Sequence, residues 1–467
     1  MIKFGTSGWR AILADEFTYP NVRLVTQAIA NYLKRKNKPG EILIGYDNRF
    51  LSDTFAKHSA TILHRNKFKP VLSKRSIATP VLSVECLRRK ANGIINFTAS
   101  HNPFEYNGLK FSPASAGPAL PEDTQAIEKE IHNLFESNFI QKNKNFSLEE
   151  SLKPVDLERH YLKRLNHFLD TKALKKSKIK VIYSPLYGAG IGILDNFLKN
   201  LGLKVCSIEN HIDPYFGYKH PEPSLENMLE IKRRILQKEF NIGLATDGDA
   251  DRFGIIDSNG MFIEPNFFIA LLADYLIEQK GFKGGLARSL ATSHLLDRVA
   301  KYHAREIHET PVGFKYIGEL ISKNKIAIGG EESAGLSIRG HIPEKDGILA
   351  CILAAEMVAI RKKSLSEQLK DLFKKTGRLF SKRVNLRVAE KIKKQLLKKL
   401  QQPDKLVKEK KVIKIDRRDG VKFHFEIDNW VLIRLSGTEP LVRVYAEAPT
   451  KKLLQENLSW GEKIIFG

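Results

Sequence analysis

The sequence predicts an α/β fold with mostly parallel sheets, followed by a smaller C-terminal α+β domain. Short apolar, β-branched runs alternate with helical patterns along most of the chain, and this is the pattern of βαβ units. Residues 421–446 instead hold three short runs with the alternation that is typical of strands. The 467 residues are enough for two to four domains.

Five runs are predicted to form strands in the α/β part of the chain: residues 41–47, 93–97, 178–183, 241–245 and 326–329. They end in polar or glycine-rich loops, after which we expect helices, one of them carrying Leu194, Leu198 and Leu201. In such sheets, ligands bind beyond the carboxyl ends of the strands. We therefore expect the loops at 98–103, 247–251 and 330–335 to share one cleft.

The sequence favours a soluble, cytoplasmic protein. Residues 1–10 lack the apolar core of a signal peptide. The two most apolar stretches, 267–277 and 347–360, are interrupted by Asp274 and Glu356 and are shorter than the ~20 residues of a spanning helix, so they predict buried helices. The chain has three cysteines, Cys86, Cys206 and Cys351. Because they lie far apart and are odd in number, we expect free thiols.

The net charge of +24 attracts anions in general. Much of the excess lies in residues 361–411, where Leu396, Leu397 and Leu400 predict an amphipathic helix with a solvated lysine face. Nucleic-acid modules usually place aromatic residues among the basic ones, and this stretch has few. Phosphorylated metabolites and nucleic acid are both candidate partners, and the shortage of aromatic residues argues against nucleic acid.

Three carboxylates, those of Asp247, Asp249 and Asp251, occupy alternate positions of a glycine-containing turn. Like charges so close together repel unless a cation neutralises them, and oxygen ligands favour Mg²⁺, Ca²⁺ or Mn²⁺. A calcium EF-hand does not fit, because Arg252 and Ser258 stand where its glycine and glutamate belong. We predict a Mg²⁺ site, with turn aspartates that cap backbone groups as the alternative.

Residues 98–103 (TASHNP) place a hydroxyl, an imidazole and an amide in one loop after a predicted strand. Ser100 could act there as a covalent nucleophile or as a phosphate carrier. The G-x-S-x-G elbow of serine hydrolases is absent. A turn shaped by the Asn-Pro pair explains this hexapeptide equally well when it is taken alone.

Two further loops offer binding groups. Residues 330–335 (GEESAG) present two carboxylates and a hydroxyl, and paired acceptors suit sugar hydroxyls. Residues 434–440 (RLSGTEP), followed by Arg443, combine cations and hydroxyls with a glycine that lets backbone N–H groups approach, which suits phosphate. It is not a Walker A loop, because G-x-x-x-x-G-K-[ST] is missing. Plain turns remain the alternative for both loops.

These four clusters, in this order, resemble the α-D-phosphohexomutase superfamily, which includes phosphoglucomutases, phosphomannomutases and phosphoglucosamine mutases. Residues 4–10 (FGTSGWR) are similar to its N-terminal signature, and residues 107–110 (NGLK) to the basic stretch after its active serine. Residues 310–315 (TPVGFK) resemble a family loop that contacts the sugar. The resemblance covers nearly the whole chain, and four motifs in register are highly specific.

The resemblance implies three similar mixed α/β domains and a smaller C-terminal α+β domain around a central cleft. The expected domains are 1–150 with the active-serine loop, 151–255 with the metal-binding loop, 256–368 with the sugar-binding loop and 369–467 with the phosphate-binding loop. The implied enzyme is a phosphoglucomutase or phosphomannomutase that acts on hexose phosphates, as a monomer or a homodimer and without a membrane partner.

The resemblance also implies a mechanism. Ser100 would rest as phosphoserine, give its phosphoryl group to the substrate, and regain a phosphate from a hexose 1,6-bisphosphate intermediate, which also serves as activator. The catalytic residues expected are Ser100, Lys110, His101 and Arg10. One Mg²⁺ per chain would be held by Ser100, Asp247, Asp249 and Asp251. Lys110 would act as general acid/base if burial or neighbouring cations lower its pKa, and His101 could hold phosphoserine or substrate.

The implied substrate is glucose phosphate, mannose phosphate or both. The binding residues expected are Gly313, Lys315, Glu331, Ser333, Arg434, Ser436, Gly437, Thr438, Arg443 and Arg252. The pair Glu331-Glu332 favours a glucose-type sugar, and Trp9 argues against glucosamine. Phe314 stands where some relatives carry histidine, which leaves the second acid/base group open. The alternatives are a phosphoglucosamine mutase and a non-catalytic sugar-phosphate-binding protein of the same fold.

Overall fold

The first domain contains one mixed five-stranded sheet. The computed structural model describes residues 2–5, 8–36, 38–407, 410–435 and 441–467. The strands are β1 Trp9–Ile12, β2 Glu41–Tyr46, β3 Lys69–Leu72, β4 Gly93–Phe97 and β5 Tyr106–Pro113, in the sheet order β1-β5-β4-β2-β3. β2 pairs in parallel with β3 and β4, whereas β5 runs antiparallel to β4 and β1. The central strands β2 and β4 are apolar and largely buried, as in a sheet covered by helices.

Five helices belong to this domain: α1 Tyr19–Lys36, α2 Ser52–Arg65, α3 Thr79–Arg89, α4 Pro121–Glu136 and α5 Phe139–Lys142. α1 buries Val22, Val25 and Ile29, which recur at helical spacing and form one apolar face. A proline in the first turn of α3 and of α4 suits a helix start, because the first N–H groups have no partner within the helix.

The second and third domains each contain a four-stranded sheet. The second domain comprises α6 Glu158–Phe168, α7 Thr171–Lys176, β6 Lys180–Ser184, α8 Leu194–Asn200, β7 Lys204–Ser207, α9 Leu229–Leu236, β8 Ile242–Thr246 and β9 Phe253–Asp257. The third comprises α10 Pro265–Glu278, β10 Gly285–Ser289, α11 Leu295–Tyr302, β11 Ile307–Thr310, α12 Phe314–Ser322, β12 Ile326–Glu331, β13 Gly335–Ile338, α13 Gly347–Arg361 and α14 Leu365–Thr376. The sheet orders are β7-β6-β8-β9 and β11-β10-β12-β13, and only the last strand of each is antiparallel.

The fourth domain contains an antiparallel sheet with two helices. Its elements are β14 Phe380–Arg387, α15 Glu390–Gln401, β15 Lys414–Asp416, β16 Val421–Glu426, β17 Asn429–Leu435, β18 Leu441–Ala448 and α16 Lys451–Phe466. The sheet order is β14-β18-β17-β16-β15. The predicted fold class, three mixed α/β domains and a smaller α+β domain, is confirmed. The predicted domain limits stay predictions, although β9 continues to Asp257 and crosses the limit expected at 255.

Strands, not the expected helices, follow the three loops that end β4, β8 and β12. β5, β9 and β13 pair antiparallel with the strand before each loop, so every loop is the turn of a β-hairpin. Each turn contains one non-glycine residue with a left-handed backbone: Ser100 (φ 51°), Ala250 (φ 56°) and Ala334 (φ 66°). The residues after the turns are mostly apolar and buried, and they are too few before the next polar segment to form a helix.

The two most apolar stretches of the chain form the buried helices α10 and α13, as predicted. Among the described residues, no helix is long and apolar enough to cross a membrane. The lysine-rich segment forms α15, where Leu396 and Leu400 are buried. The prediction for Leu397 is wrong: its position on the helix turns it outward, and it is 49% exposed.

The first three domains share one apolar core. The largest cluster of buried side chains includes Val81 of the first domain, Tyr183 of the second and Leu353 of the third. A second cluster lies on the α1 side of the first sheet, and a third fills the fourth domain. The cysteines are free, as predicted, and Cys86 and Cys351 lie in the shared core.

The third and fourth domains meet through buried polar groups. Lys422 of β16 is fully buried, and its Nζ donates a hydrogen bond to the Leu290 carbonyl at 2.9 Å. The same Nζ lies 3.0 Å from His294 Nε2 and 4.0 Å above the centre of the Trp430 ring. Glu309 Oε2 lies 3.4 Å away and supplies the opposite charge. A buried cation is costly without such partners, so these contacts hold the two domains together.

Candidate active site

The hairpin turns of the first and second domains touch each other. The backbone at Gly248 packs so closely on the Ser100 carbonyl that a β-carbon at Gly248 would lie 2.5 Å from that oxygen. Thr79, at the start of α3, donates its backbone N–H to the Asp249 carbonyl at 2.9 Å and its hydroxyl to Asp249 Oδ2 at 2.6 Å. Glycine is therefore required at position 248 for the serine and aspartate turns to meet.

Ser100 lies at the point where these turns meet. Its Oγ donates a 2.7 Å hydrogen bond to Asp247 Oδ2 and lies 3.4 Å from His101 Nδ1. The Ser100 N–H donates to Thr98 Oγ1 at 2.9 Å. A serine with a left-handed backbone is uncommon and costs free energy, and such strain concentrates at functional sites.

Arg49 holds the serine turn in place. Its guanidinium donates hydrogen bonds to four backbone carbonyls, those of Ser100, Asn102, Pro103 and Tyr106, at 2.7–3.0 Å. Its Nε donates to Asp47 Oδ2 at 3.1 Å, and the side chains of both residues are fully buried. A planar guanidinium with five N–H donors can satisfy several carbonyls at once, which an ammonium group cannot do.

Asp247, Asp249 and Asp251 are buried, with one carboxylate oxygen of each within 4.8 Å of the others. Burial and the two neighbouring carboxylates raise the pKa of Asp247 well above its usual value. Asp249 Oδ1 and Asp251 Oδ1 are buried and have no hydrogen-bond partner among the described residues. Carboxylate oxygens that converge without donors fit a hard divalent cation such as Mg²⁺. The predicted metal ligands are therefore brought together.

Two lysines and two carboxylates form a closed ring beside the aspartate turn. Lys110 Nζ lies 3.2 Å from Asp251 Oδ2 and 3.1 Å from Glu344 Oε2. Lys345 Nζ lies 2.8 Å from Asp251 Oδ2 and 3.2 Å from Glu344 Oε1. All four side chains are buried, so alternating charge around the ring offsets the cost of burying each group. Burial would raise the pKa of Asp251, but Lys345 and Lys110 outweigh it and hold it below its usual value.

The lowered pKa that Lys110 would need as a general acid/base is not found, and its pKa is raised instead. Burial acts to lower the pKa, and so does Lys345, but Glu344, Asp251 and Asp249 outweigh both and raise the pKa. Lys110 is therefore held as a cation. In this environment we expect the group to supply positive charge and hydrogen-bond donors to an anion.

His101 is surrounded by arginines. Burial, followed by Arg252, Arg10 and Arg49, holds the pKa of His101 well below its usual value, so the imidazole is neutral. Arg10 Nη1 donates to Asn102 Oδ1 at 2.6 Å, which places a second guanidinium at the serine turn. The Arg252 N–H donates to Asp247 Oδ1 at 3.0 Å. The predicted residues His101, Arg10 and Arg252 thus lie around Ser100, as a site for an anion requires.

The predicted sugar loop is the turn between β12 and β13. Glu331 Oε1 accepts a hydrogen bond from the Gly313 N–H at 2.8 Å, which joins this turn to the start of α12. Burial, together with Glu332, raises the pKa of Glu331 to about 7. Ser333 and Lys315 are half-buried, and burial lowers the pKa of Lys315. These groups form a polar wall that can accept from and donate to sugar hydroxyls.

Arg434 and Arg443 lie opposite each other on β17 and β18. Arg434 donates from Nε and Nη2 to the two oxygens of Asp419, at 3.0 and 2.9 Å. Asp419 Oδ2 also accepts from the Val312 N–H at 3.0 Å, so the fourth domain is joined here to the predicted sugar-contact segment 310–315. The other predicted residues of the phosphate loop, Ser436, Gly437 and Thr438, lie outside the described residues.

Two residues singled out in the sequence, Trp9 and Phe314, are buried. Trp9 is 2% exposed and stacks on Phe17 with ring centres 4.5 Å apart, so it is a core residue and does not argue against glucosamine. Phe314 is also buried, and Lys345 Nζ lies 5.7 Å from its ring centre. Apolar packing explains both positions.

Five residues at the site were missed in the sequence: Arg49, Thr79, Glu344, Lys345 and Asp419. Two polar segments of the sequence could have indicated Arg49, Glu344 and Lys345. Residues 47–49 (DNR) follow the predicted strand 41–47, and residues 344–346 (EKD) precede a long apolar stretch, so both are polar clusters at the end of a predicted element. The sequence next to Thr79 and Asp419 does not indicate a functional role, and only their tertiary contacts identify them.

The chain matches four domains of one protein family along nearly its whole length. The family descriptions are phosphoglucomutase/phosphomannomutase alpha/beta/alpha domain I at residues 1–138, domain II at 159–260, domain III at 264–376 and the C-terminal domain at 384–457. These matches place the serine turn, the aspartate turn, the GEESAG turn and the arginine pair in successive domains of the family.

Individual proteins agree with the family match. The chain is 32% identical over 470 residues to a phosphoglucomutase/phosphomannomutase from Thermococcus kodakarensis, with 99% of this chain and 98% of that protein covered. A protein from Methanosphaera stadtmanae that is named as a phosphoglucosamine mutase is 30% identical, with 99% and 96% covered. A crystal structure described as a phosphomannomutase from Thermus thermophilus superimposes with a TM-score of 0.86 at 33% identity, covering 100% and 99% of the two chains. The chain belongs to the phosphoglucomutase/phosphomannomutase family of the α-D-phosphohexomutase superfamily and is an enzyme of the phosphohexomutase class.

Proposed function

We propose that this enzyme interconverts hexose 1-phosphates and hexose 6-phosphates of glucose, mannose or both, with Ser100 as the phosphate carrier. The observation that carries the proposal is the contact between the two turns. Ser100 Oγ, held 2.7 Å from Asp247 Oδ2, lies beside three convergent aspartates, and arginines surround the adjacent His101. A hydroxyl in such a position suits reversible phosphorylation, because the adjacent positive groups offset the charge of a phosphate.

The cycle needs two phosphoryl transfers. In the first, a sugar hydroxyl attacks the phosphorus of phosphoserine, the bond to Ser100 Oγ breaks, the hydroxyl proton passes to Ser100 Oγ, and a hexose 1,6-bisphosphate forms. In the second, Ser100 Oγ attacks the other phosphate of the reoriented bisphosphate, the bond from that phosphorus to the sugar oxygen breaks, the Ser100 proton passes to that oxygen, and the product leaves as a hexose monophosphate. Free hexose 1,6-bisphosphate therefore serves as activator, because it can phosphorylate Ser100 in an enzyme that has lost its phosphate.

The surrounding residues form two groups, one that contacts the reacting phosphate and one that contacts the rest of the substrate. Lys110, held as a cation, and Arg10 neutralise charge on the transferring group. Arg252 and His101 lie beside Ser100 and bind the same anion. Gly313, Lys315, Glu331 and Ser333 line the sugar side, while Arg434 and Arg443, with Ser436, Gly437 and Thr438, hold the phosphate that is not reacting.

Asp247, Asp249 and Asp251 would hold one Mg²⁺, together with an oxygen of the group on Ser100. When bound, this ion supplies Lewis-acid stabilisation of charge on the transferring phosphoryl group. The chain's own residues prepare the site: Arg252 donates its N–H to Asp247, Thr79 orients Asp249, and Lys345 orients Asp251.

The sharpest test is a coupled assay of the intact protein across glucose, mannose and glucosamine 1-phosphates, with Mg²⁺ and the matching 1,6-bisphosphate present. We expect turnover of the glucose or mannose compound to exceed that of the glucosamine compound. A preference for glucosamine 1-phosphate would instead assign the chain the activity named for the Methanosphaera relative.

Ser100→Ala tests the carrier. We expect turnover to fall by about 10³-fold or more, because the covalent cycle runs through this hydroxyl. Ser137→Ala is the matched control, since Ser137 is exposed at the end of α4 and its hydroxyl donates to the Leu134 carbonyl of the same helix. Wild-type turnover in Ser100→Ala would refute the proposal. Incorporation of phosphate at Ser100, followed by mass spectrometry, gives a second readout that does not depend on the assay.

A further inference from the structure

Two adjoining cavities lie on a side of the molecule to which none of the four functional loops contributes. The first has a volume of about 610 Å³ and lies along α6. The second, of about 810 Å³, continues past α7 to residues 280–283 and 339–340. His167 and Gly340 line both, so the two form one groove, which we call the α6 groove. Each volume is in the range of a small-molecule site.

The lining of the α6 groove is strongly cationic. Lysines and arginines line both cavities, and Asp170 is the one acidic residue among the described residues that line them. Some of these cations are already neutralised: Arg88 pairs with Glu85 at 2.8 Å, and Lys280 pairs with Glu356 at 2.7 Å. The others determine what the groove can bind.

Five cations of the groove have no carboxylate partner among the described residues: Lys163, Arg164, Lys172, Lys283 and Arg339. The Arg164 Nη2 donates to the Gly340 and His341 carbonyls, both at 2.6 Å, and Arg339 donates to the Lys283 carbonyl at 3.0 Å. A concave surface focuses the field of such uncompensated charges and concentrates anions there. Lys163 and Arg164 lie in the first cavity and Lys283 and Arg339 in the second, so the groove can accept more than one phosphate group.

The groove also has apolar surface. Val84 and Leu87 line the first cavity, and Phe168 and Phe282 line the second. Inorganic phosphate would leave this surface in contact with water, whereas a ligand with an organic body would cover it. We propose that the α6 groove binds a small organic polyphosphate, of the class of a nucleoside di- or triphosphate, at a site separate from the active site. This proposal does not rest on the proposed function.

A short segment links the groove to the active site. Gly340 lines the groove, and the chain then continues through His341 to Glu344 and Lys345, which contact Lys110 and Asp251. α6 holds this segment: Arg164 donates to the carbonyls of residues 340 and 341, and the Tyr161 hydroxyl donates to Asp346 at 2.9 Å. A ligand in the groove that contacts both Arg164 and Arg339 would cover Gly340 and hold residues 340–346 more firmly.

The test is calorimetric titration of the full chain with ATP in metal-free buffer, so that the proposed Mg²⁺ site takes no part. We expect the double variant Lys163→Glu/Lys283→Glu to bind ATP about tenfold more weakly or worse, because both side chains are exposed in the groove and have no carboxylate partner among the described residues. Lys129→Glu makes half of this charge change on α4, outside the groove, and should have little effect. Pyrophosphate should bind more weakly than ATP, and adenosine should not bind.

A second readout does not depend on affinity. Amide hydrogen exchange of residues 339–346 should slow when ATP binds to the wild type, and should not change in the double variant. Three results would overturn the proposal. The first is an equal loss of ATP binding in Lys129→Glu. The second is a loss of ATP binding in Arg434→Gln but not in the double variant, and the third is a short single-stranded RNA that binds through Lys163 and Lys283 more tightly than ATP. The second result would place ATP in the active site, and the third would identify a nucleic-acid surface.

Discussion

Asp419 accepts both hydrogen bonds that the Arg434 guanidinium makes through Nε and Nη2, at 3.0 and 2.9 Å. The same carboxylate accepts from the Val312 N–H, so one side chain joins Arg434 of the fourth domain, the predicted phosphate ligand, to the predicted sugar-contact segment of the third. Bidentate pairs of this kind fix the direction of the guanidinium as well as its place. We therefore expect Asp419 to act as a positioning residue for substrate binding.

We expect Asp419→Asn to raise KM for hexose phosphate about tenfold and to change kcat much less. The amide cannot accept both Arg434 bonds, so the arginine must be ordered when the substrate binds. Glu426→Gln at the exposed end of β16 is the control. Steady-state kinetics across substrate concentrations measure both constants. A fall in kcat with unchanged KM would contradict the assigned role.

Arg49→Lys should lower kcat by about tenfold or more, because small displacements of a reacting group are costly. An ammonium group cannot reach the four carbonyls that the guanidinium holds, so the serine turn becomes less fixed. Hydrogen exchange should quicken in residues 100–106. Arg65→Lys, on the exposed end of α2, should change neither measurement. If kcat and exchange in Arg49→Lys matched the wild type, the carbonyl contacts would not position Ser100.

Mg²⁺ should raise the melting temperature of the wild type, with a stabilisation of about 2.7 kcal/mol at a hundredfold excess over Kd. Asp249→Asn should remove this response, because it deletes a carboxylate whose Oδ1 is free to bind a cation. Thermal denaturation with Mg²⁺ and with EDTA makes the comparison.

The chain provides a matched control for that experiment. Asp274, Glu278 and His303 form a second acidic group with metal-like spacing, but Arg361 and Lys375 already pair with its carboxylates. Glu278→Gln should therefore leave the Mg²⁺ response intact. A lost response in Glu278→Gln, or a retained one in Asp249→Asn, would place the ion elsewhere.

Glu331 gives the protein a pH-dependent stability. Its pKa of about 7 lies above the usual value, so the folded state favours the protonated form. The resulting stabilisation is complete below pH ~4.5 and is lost as the pH rises through 7. In acid, the free energy of unfolding of Glu331→Gln should equal that of the wild type. Above pH ~7, it should exceed the wild-type value by on the order of 2 kcal/mol. Melting curves across this range, without substrate, measure the difference, and parallel curves at every pH would contradict it.

Glu344→Gln should lower kcat about tenfold and destabilise the fold by about 3 kcal/mol, because it breaks a buried charge network. Without this carboxylate, Lys110 and Lys345 share Asp251, and Lys110 keeps a longer 3.9 Å contact with Asp249. Glu344→Asp keeps the charge and should recover part of the kcat loss, which a purely structural role would not predict. If Glu344→Asp were as slow as Glu344→Gln, the charge of Glu344 would not matter for positioning the lysines.

Much of the site could be predicted from the sequence because its motifs are local. Ser100 and the three aspartates stand in turns of five or six residues after apolar strands, and strand ends are where ligands bind in α/β sheets. The prediction of helices after these turns was wrong, because β5, β9 and β13 are short apolar runs whose pairing depends on the strand before the turn.

The rest depends on tertiary contacts between residues distant in sequence. Lys110 meets Glu344, and Asp419 meets Val312, across separate domains, so no spacing rule could join them. The direction of the Lys110 pKa also depends on those partners, since burial alone acts the other way. Leu397 points in a different direction around the helix axis from Leu396 and Leu400. The spacing of three leucines does not show which of them faces the core.

The buried contacts of Lys422 bear on how this chain melts. Separating the fourth domain would bring Lys422 and Glu309 into water and expose the apolar faces of Leu290 and Trp430. The first three domains already share a single core. Four sheets that are distinct along the sequence are therefore linked energetically, so that the loss of one destabilises the next. Heating should disrupt the first three domains together with the fourth, and an excised fourth domain would expose Lys422 and the face of Trp430 that the third domain covers.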